Sequence, residues 1–335
     1  MTSKKSLRPA DRISALRTQQ TLKMARSAHA YVRGSTVHFD EWLEAQKRGT
    51  LPEGPPIWIC GDCHAGNLGP VAAADGRVAI QIRDLDQTVI GNPAHDLIRL
   101  ALSLATASRG SDLPGVTTAH IMEQVIEGYR AALRQDADAI DDAPKSIQLV
   151  MKKSTARSWK QLANERLESR CSMRLIGMKG CSSLGLLRFA VLLGVGTGKT
   201  RDQALMDVKE AVTAAAPRYP GTAMPKDHVE RVVEGAVHLS PHLGKRMVAG
   251  KLDQRSVFIR ELLPQDLKIE IEQLTVPDAM KAASFLAGVV GKAHARQMDA
   301  TTRKRWSTEL ERNRSKTLEA PSWLWDERRV ADREP

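Results

Sequence analysis

Gly61-Asp62-Cys63-His64-Ala65-Gly66-Asn67, followed seventeen residues after Asn67 by Asp84-Leu85-Asp86 and then by Gly91-Asn92-Pro93-Ala94-His95-Asp96, is the stretch on which the reading of this chain turns. It sets a lone carboxylate, an amide five residues later and a carboxylate pair at the ends of short strands. Those residue types suit holding Mg²⁺ on a phosphate while a hydroxyl loses its proton. Around them, Pro55-Pro56 ends one element, Ile57 to Cys60 is β-prone, Asp75-Gly76 signals a turn, and Val78 to Ile82 reads as a second strand. The hairpin-like unit expected from this pattern brings Asp62 to Asn67 and Asp84 to Asp86 into one neighbourhood. Leu97, Ile98, Leu100, Ala101, Leu104 and Ala105 recur at helical spacing, so the Asp-rich turn feeds a helix with a buried face. At its head, Asp96 reads as structural, and His64 reads as a hydrogen-bond partner of the loop backbone.

The segment from Cys60 to Leu68, with Asp75-Gly76-Arg77-Val78, Ile82 to Asp86 and Gly91 to Leu97, resembles the catalytic and metal-binding loops of aminoglycoside phosphotransferases and other protein-kinase-like enzymes. The resemblance implies that Asp62 is the base facing an acceptor hydroxyl and that Asn67 and Asp84 are Mg²⁺ ligands. Leu85 and Asp86 replace the Phe and Gly of the kinase Asp-Phe-Gly triplet, which makes Asp86 a candidate further ligand. Cys60 stands where those enzymes usually carry His.

Such an enzyme needs a small lobe with a phosphate-covering loop and a strand lysine, and here it is expected after the acidic loops. Leu175 to Gly185 is rich in small residues, with Gly180, Ser182, Ser183 and Gly185 as candidate nucleotide contacts, and an apolar strand from Leu187 to Leu193 follows. Ala204 to Ala211 is a strand whose Lys209 resembles the lysine of a kinase's Val-Ala-Ile-Lys. A cation there would neutralise phosphate charge while loop N–H groups approach the phosphates. On the next helix, Glu230 or Glu234 is the expected partner of that lysine, and Glu234 is preferred. Val257 to Pro264, containing Glu261, is suited to a hinge beneath an adenine, and Phe285 to His294 forms an amphipathic helix like the one that normally precedes a catalytic loop.

The order of these parts implies an α+β, protein-kinase-like two-lobed fold that is circularly permuted, with a mainly helical large lobe and a small antiparallel β lobe. Residues 1–150 would hold the catalytic and metal loops, 151–275 the nucleotide-binding lobe and hinge, and 276–335 a helical return and tail. With Lys23 to Ser27 and Tyr31 to Gly34, the pattern over residues 20 to 297 resembles the bacterial family called domain of unknown function 2252. The resemblance implies an ATP- and Mg²⁺-dependent phosphotransferase acting on an unknown hydroxyl acceptor. Within the same fold, a non-catalytic nucleotide-binding scaffold and a nucleotidyltransferase are the alternatives.

Composition bounds the remaining classes. At 335 residues and 42% hydrophobic content the chain can bury a full core and two lobes. Arg99 and Arg188 interrupt its most apolar runs, and the basic N-terminus lacks an apolar signal core, so a cytoplasmic protein without a membrane span is expected. Of the net charge of +11, residues 1 to 33 supply much, holding eight Lys or Arg against one Asp. With 4% aromatics and no basic-aromatic stripe, this arm reads as a solvated face or a guide for an anionic ligand rather than a nucleic-acid module.

Three other motifs compete. Cys60-Gly61-Asp62-Cys63-His64 matches a haem-attachment or redox-pair spacing, but neither the export signal of the first nor the helix start of the second is present. Gly194 to Thr200 resembles a Walker A loop with Leu193 where the first Gly belongs, and reads as a turn between two strands. Asp62-Cys63-His64 also opens like a dinuclear metallophosphoesterase, whose later ligands would come from His228, His238, His242 and His294, which lack paired spacing.

Overall fold

The computed structural model describes residues 34–47, 49–109, 115–134, 143–166, 173–175, 186–195, 202–267 and 276–312, together with a few single positions. It is a mixed α+β fold of helices and small antiparallel sheets.

Helix α1 (Thr36–Glu44) buries Thr36, Phe39, Asp40 and Leu43 along one side. After it come β1 (Ile57–Ile59), β2 (Leu68–Ala72), β3 (Val78–Ile82) and β4 (Val89–Gly91). The expected second strand is β3, but its hairpin partner is β2, with Leu68 opposite Ile82. β1 instead pairs with β4, Ile57 opposite Gly91. The reason is local: Asp75-Gly76, with Gly76 at φ +83°, joins the two apolar runs that flank it directly. The loops still converge, because β1 and β3 each hand the chain to the same end of the β1–β4 ribbon.

Pro93 opens α2 (Pro93–Arg109), where its missing N–H costs no helical hydrogen bond. Helices α3 (Gly115–Arg134), α4 (Lys145–Thr155) and α5 (Trp159–Arg166) follow. The second half of the chain supplies β5 (Met173–Leu175), β6 (Arg188–Val195), β7 (Asp202–Glu210), α6 (His228–Leu239), α7 (Pro241–Gly244), β8 (Met247–Leu252), β9 (Arg255–Leu262), α8 (Val276–Ala295) and α9 (Ala300–Glu309).

The main core lies where α2, α3 and α8 meet, around Leu97, Leu100, Leu104, Val125, Tyr129, Leu286 and Val290. A Cβ at Gly128 of α3 would collide with the Ser284 carbonyl of α8, so these two helix backbones are in contact. Among the described residues no helix is long and apolar enough to cross a membrane.

One antiparallel sheet, in the order β5-β6-β7-β9-β8, forms the other body of structure. Strand period places Leu205, Asp207 and Lys209 on one buried face of β7. Register puts Arg188, Ala190 and Leu192 of β6 beside them on one side and Phe258, Arg260 and Leu262 of β9 on the other. Leu205, Ala190 and Leu262 pack on Leu162 of α5 in a small core of their own. Farther along the strands the same face turns charged, and it meets the acidic turn after β3. Gly194 and Val195 end β6, whose antiparallel neighbour β7 begins at Asp202, and residues 196–200 lie outside the described residues. That is not the strand-to-helix setting a Walker A loop requires.

Candidate functional site

Gly61 has φ +77°, and a Cβ there would run into the Gln87 carbonyl, so the turn that presents Asp62 admits only glycine without strain. Asp96 fixes that turn from the first turn of α2. Its Oδ2 accepts the Cys60 N–H at 2.7 Å and its Oδ1 the Gly61 N–H at 2.9 Å. Behind it, His294 Nε2 lies 3.2 Å from Asp96 Oδ2, Tyr129 Oη 2.8 Å from His294 Nδ1, and Trp306 Nε1 donates to Tyr129 Oη at 3.0 Å. A neutral His294 carrying its proton on Nε2 satisfies every link of this buried chain. The structural reading of Asp96 is therefore the geometry found.

Asp62 is buried, and its Oδ1 accepts from Arg99 Nε at 3.1 Å and Nη2 at 3.0 Å. Arg99 comes from α2, bonds Thr36 Oγ1 at 3.3 Å and stands 4.8 Å over the Phe39 ring. His64 Nε2 is 3.9 Å from the other oxygen of Asp62. Asn67 ties the two loops together: its Nδ2 donates to the Asp62 carbonyl at 2.9 Å and reaches the Asp84 carbonyl at 3.5 Å.

Across from these loops, Lys209 Nζ is 2.7 Å from Asp86 Oδ2 and 3.2 Å from Asp84 Oδ1, and 5.4 Å from the centre of the Phe258 ring. Lys209 is buried, whereas the Asp84 side chain is 38% exposed and so opens the pair to solvent. Beside Lys209 on the sheet, Asp207 binds Arg188 through two hydrogen bonds of 3.1 and 3.0 Å and Arg260 through two of 3.1 and 2.9 Å. Arg260 also donates to the Arg83 carbonyl at 2.8 Å, pinning the acidic turn to the sheet.

The two acids titrate apart. Burial opposes ionisation of Asp84, but Lys209 and then Arg260 outweigh it and hold the carboxyl well below its ordinary range. Burial and then the Asp84 charge push Asp86 up to about 6, against the pull of Lys209. Asp86 Oδ1 is buried with no hydrogen-bond partner among the described residues, an orphaned acceptor beside an ionised carboxylate.

Not every residue singled out in the sequence comes to this place. Gly180, Ser182, Ser183 and Gly185 lie outside the described residues. Glu261 sits on β9 one position from Arg260, hence on the opposite face of the sheet from Lys209, and its carbonyl accepts from Arg246 at 2.7 Å. Glu234 is exposed on α6, and the acids that meet Lys209 are Asp84 and Asp86 instead. The buried stripe of α6 is Val229, Val232, Gly235, Ala236 and Leu239, which leaves Glu230 and Glu234 on its wet side. That helix reaches the acidic turn through Arg231, which donates to the Thr88 carbonyl, to the Asp86 carbonyl at 3.0 Å and to the Val212 carbonyl at 2.9 Å.

Arg99, Asp207, Arg188 and Arg260 were not anticipated. For Asp207 a signal existed, since Leu205-x-Asp207-x-Lys209 has the strand period that puts both charges on one face. For Arg99 none did, because an Arg in an apolar helix names no partner.

Among the described residues, the one group of three or more His, Cys, Asp or Glu donors close enough to share an ion is Cys60, Cys63 and Asp96. Among the described residues, His228, His238, His242 and His294 are not members of that group. The thiol–thiol hydrogen bond with Cys60 and burial push the Cys63 thiol well above its ordinary value, unlike a reactive redox cysteine.

No curated protein and no solved structure gave a match to this chain. A family model described as an uncharacterized protein conserved in bacteria matches residues 12–177 and 163–327. Those segments cover most of the sequence, and the chain belongs to this bacterial family, domain of unknown function 2252.

Proposed function

We propose that this protein is an ATP- and Mg²⁺-dependent phosphotransferase of circularly permuted kinase-like architecture, acting on a hydroxyl acceptor. The observation that carries the reading is the meeting of Lys209 with Asp84 and Asp86, a strand cation from the middle of the chain against a carboxylate pair from its front. An ammonium, two carboxylates and a separate buried carboxylate, Asp62, are the groups that positioning and charge neutralisation in phosphoryl transfer call for.

The donor set fits Mg²⁺. The ion takes oxygen ligands, and the exposed Asp84 carboxylate beside the orphaned Asp86 Oδ1 offers two of them. An ion held by these acids would supply neutralisation of the charge that develops on a phosphate in transfer. The chain's own residues do the rest. Asp84, whose charge Lys209 secures, and Asp86, once deprotonated, would hold the ion. Lys209 turns from the acids toward phosphate, and Arg188 and Arg260 keep the sheet face cationic around Asp207. Asp62, held by Arg99 on one oxygen, takes the acceptor proton on the other, and Asp96 fixes the turn that aims it.

Mass spectrometry of protein and metabolites after incubation with ATP and Mg²⁺ tests this reading. Transfer of a phosphoryl group to an acceptor supports it. Transfer of AMP assigns the same site to nucleotidyl transfer, and unchanged ATP across a broad metabolite and protein pool leaves the nucleotide-binding scaffold as the reading and ends the catalytic one.

A further inference from the structure

Cys60 Sγ, Cys63 Sγ and an Asp96 carboxylate oxygen lie within 4.8 Å of one another, all three residues fully buried. We propose that they form a structural site for a thiophilic divalent ion, Zn²⁺, which clamps the turn carrying Asp62 to the start of α2.

Several independent features converge on this site. Two thiol sulfurs and one carboxylate are a donor set that selects zinc over Mg²⁺ or Ca²⁺, which take oxygen ligands. Asp96 is pre-oriented as metal-bound carboxylates usually are. The Cys60 and Gly61 N–H groups and His294 Nε2 hold it, and Tyr129 and Trp306 back that histidine within the core. Among the described residues Oδ1 accepts from the Gly61 N–H alone, which leaves that oxygen further acceptor capacity. No fourth His, Cys, Asp or Glu among the described residues joins the three, so the fourth ligand of a tetrahedral ion would be a water. On binding, two Zn–S bonds replace two S–H bonds, both protons leave to solvent, and no oxidant or reductant takes part. The ion would span a three-residue step of the loop and the helix 36 residues from Cys60, adding to the hydrogen bonds that already aim Asp62. Cys60 Sγ donates to the Asp84 carbonyl at 3.4 Å, so the site adjoins the acidic turn, but zinc binding there does not depend on phosphoryl transfer.

The test uses the full chain, purified without chelator under anaerobic, reducing conditions. Elemental analysis is expected to find about one zinc per chain, and after stripping, Co²⁺ is expected to restore a sulfur-to-cobalt charge-transfer band. Cys63→Ser should lower retained zinc by at least about tenfold, as should Cys60→Ser. Because either variant could misfold, wild-type thiols are also titrated. In native buffer both buried cysteines should react with a thiol reagent faster after a strong chelator is added than before. Wild-type protein that binds neither Zn²⁺ nor Co²⁺ on loading, or that carries a Cys60–Cys63 disulfide, overturns the proposal. Phosphotransfer by protein that takes up no zinc on loading would refute it while leaving the proposed function intact.

Discussion

Lys209 Nζ lies 2.7 Å from Asp86 Oδ2 although 123 residues separate them in the chain. The contact joins the sheet to the acidic turn, and it is reinforced by Asp84 on the same ammonium. Lys209→Met would leave two carboxylates facing each other without their cation. Breaking a fully buried pair costs about 3–5 kcal/mol, but Asp84 and Asp86 are 38% and 26% exposed and can rehydrate. The expected loss is therefore about 1–3 kcal/mol, read as a lower urea midpoint with an unchanged slope. A variant as stable as wild type would show that the contact holds nothing together.

Asp96 bonds two backbone N–H groups and a histidine N–H, all acceptor roles for the carboxylate. Asp96→Asn turns one of its oxygens into a donor and sets it against a donor in the core. The expected destabilisation is about 2–4 kcal/mol. Amide exchange of Gly61 should quicken more than that of β6, because the turn loses its anchor while the sheet does not. Uniform change across both elements would contradict the anchoring role.

Asp40 gives a pH dependence with a definite sign. The residue is 4% exposed, neither carboxylate oxygen has a hydrogen-bond partner among the described residues, and burial raises it to about 7 against the opposing pull of Arg99. A carboxyl with a raised folded value keeps a proton that the unfolded chain sheds near its ordinary pKa. Stability from this group thus falls as pH climbs from about 4 to about 7 and then levels off. Asp40→Asn removes the titration, so its stability relative to wild type should rise by on the order of 2–4 kcal/mol between pH 4 and pH 8. Equilibrium unfolding of both proteins across that range checks it, and parallel curves would exclude the titration.

Local signals carried the elements of this fold much better than they carried its partners. β3 and the helix beginning at Pro93 were legible because a turn dipeptide and an apolar period are written within a few residues. Lys209 was legible for the same reason, as the end of an alternating strand. The pairing of β1 with β4 was not, since strand pairing is settled by what lies between two strands and not by the strands themselves. Glu234 is expected beside Lys209 from the sequence only because it lies on the next helix after that strand. The apolar stripe of α6, equally present in the sequence, points the other way and puts Arg231 inside. Arg99 against Asp62 and Arg188 and Arg260 around Asp207 are contacts made by folding, and no spacing encodes them.

The proposed roles of Asp62 and Asp84 separate in one pair of variants. Asp84 has its charge secured by Lys209 and Arg260 and is open to solvent, as a metal-holding acid must be. Asp84→Ala should therefore abolish Mg²⁺-dependent nucleotide binding in calorimetry. Asp62 contacts Arg99 and not Lys209, so Asp62→Asn keeps the carbonyl that Asn67 binds and most of the shape of the turn. Nucleotide affinity should then stay within about threefold of wild type while turnover of an identified acceptor drops by about 10²–10⁴, the scale of lost general-base catalysis. Equal effects of the two substitutions on binding would show that the two loops act as one metal site, and undiminished turnover in Asp62→Asn would take the base assignment away from that residue.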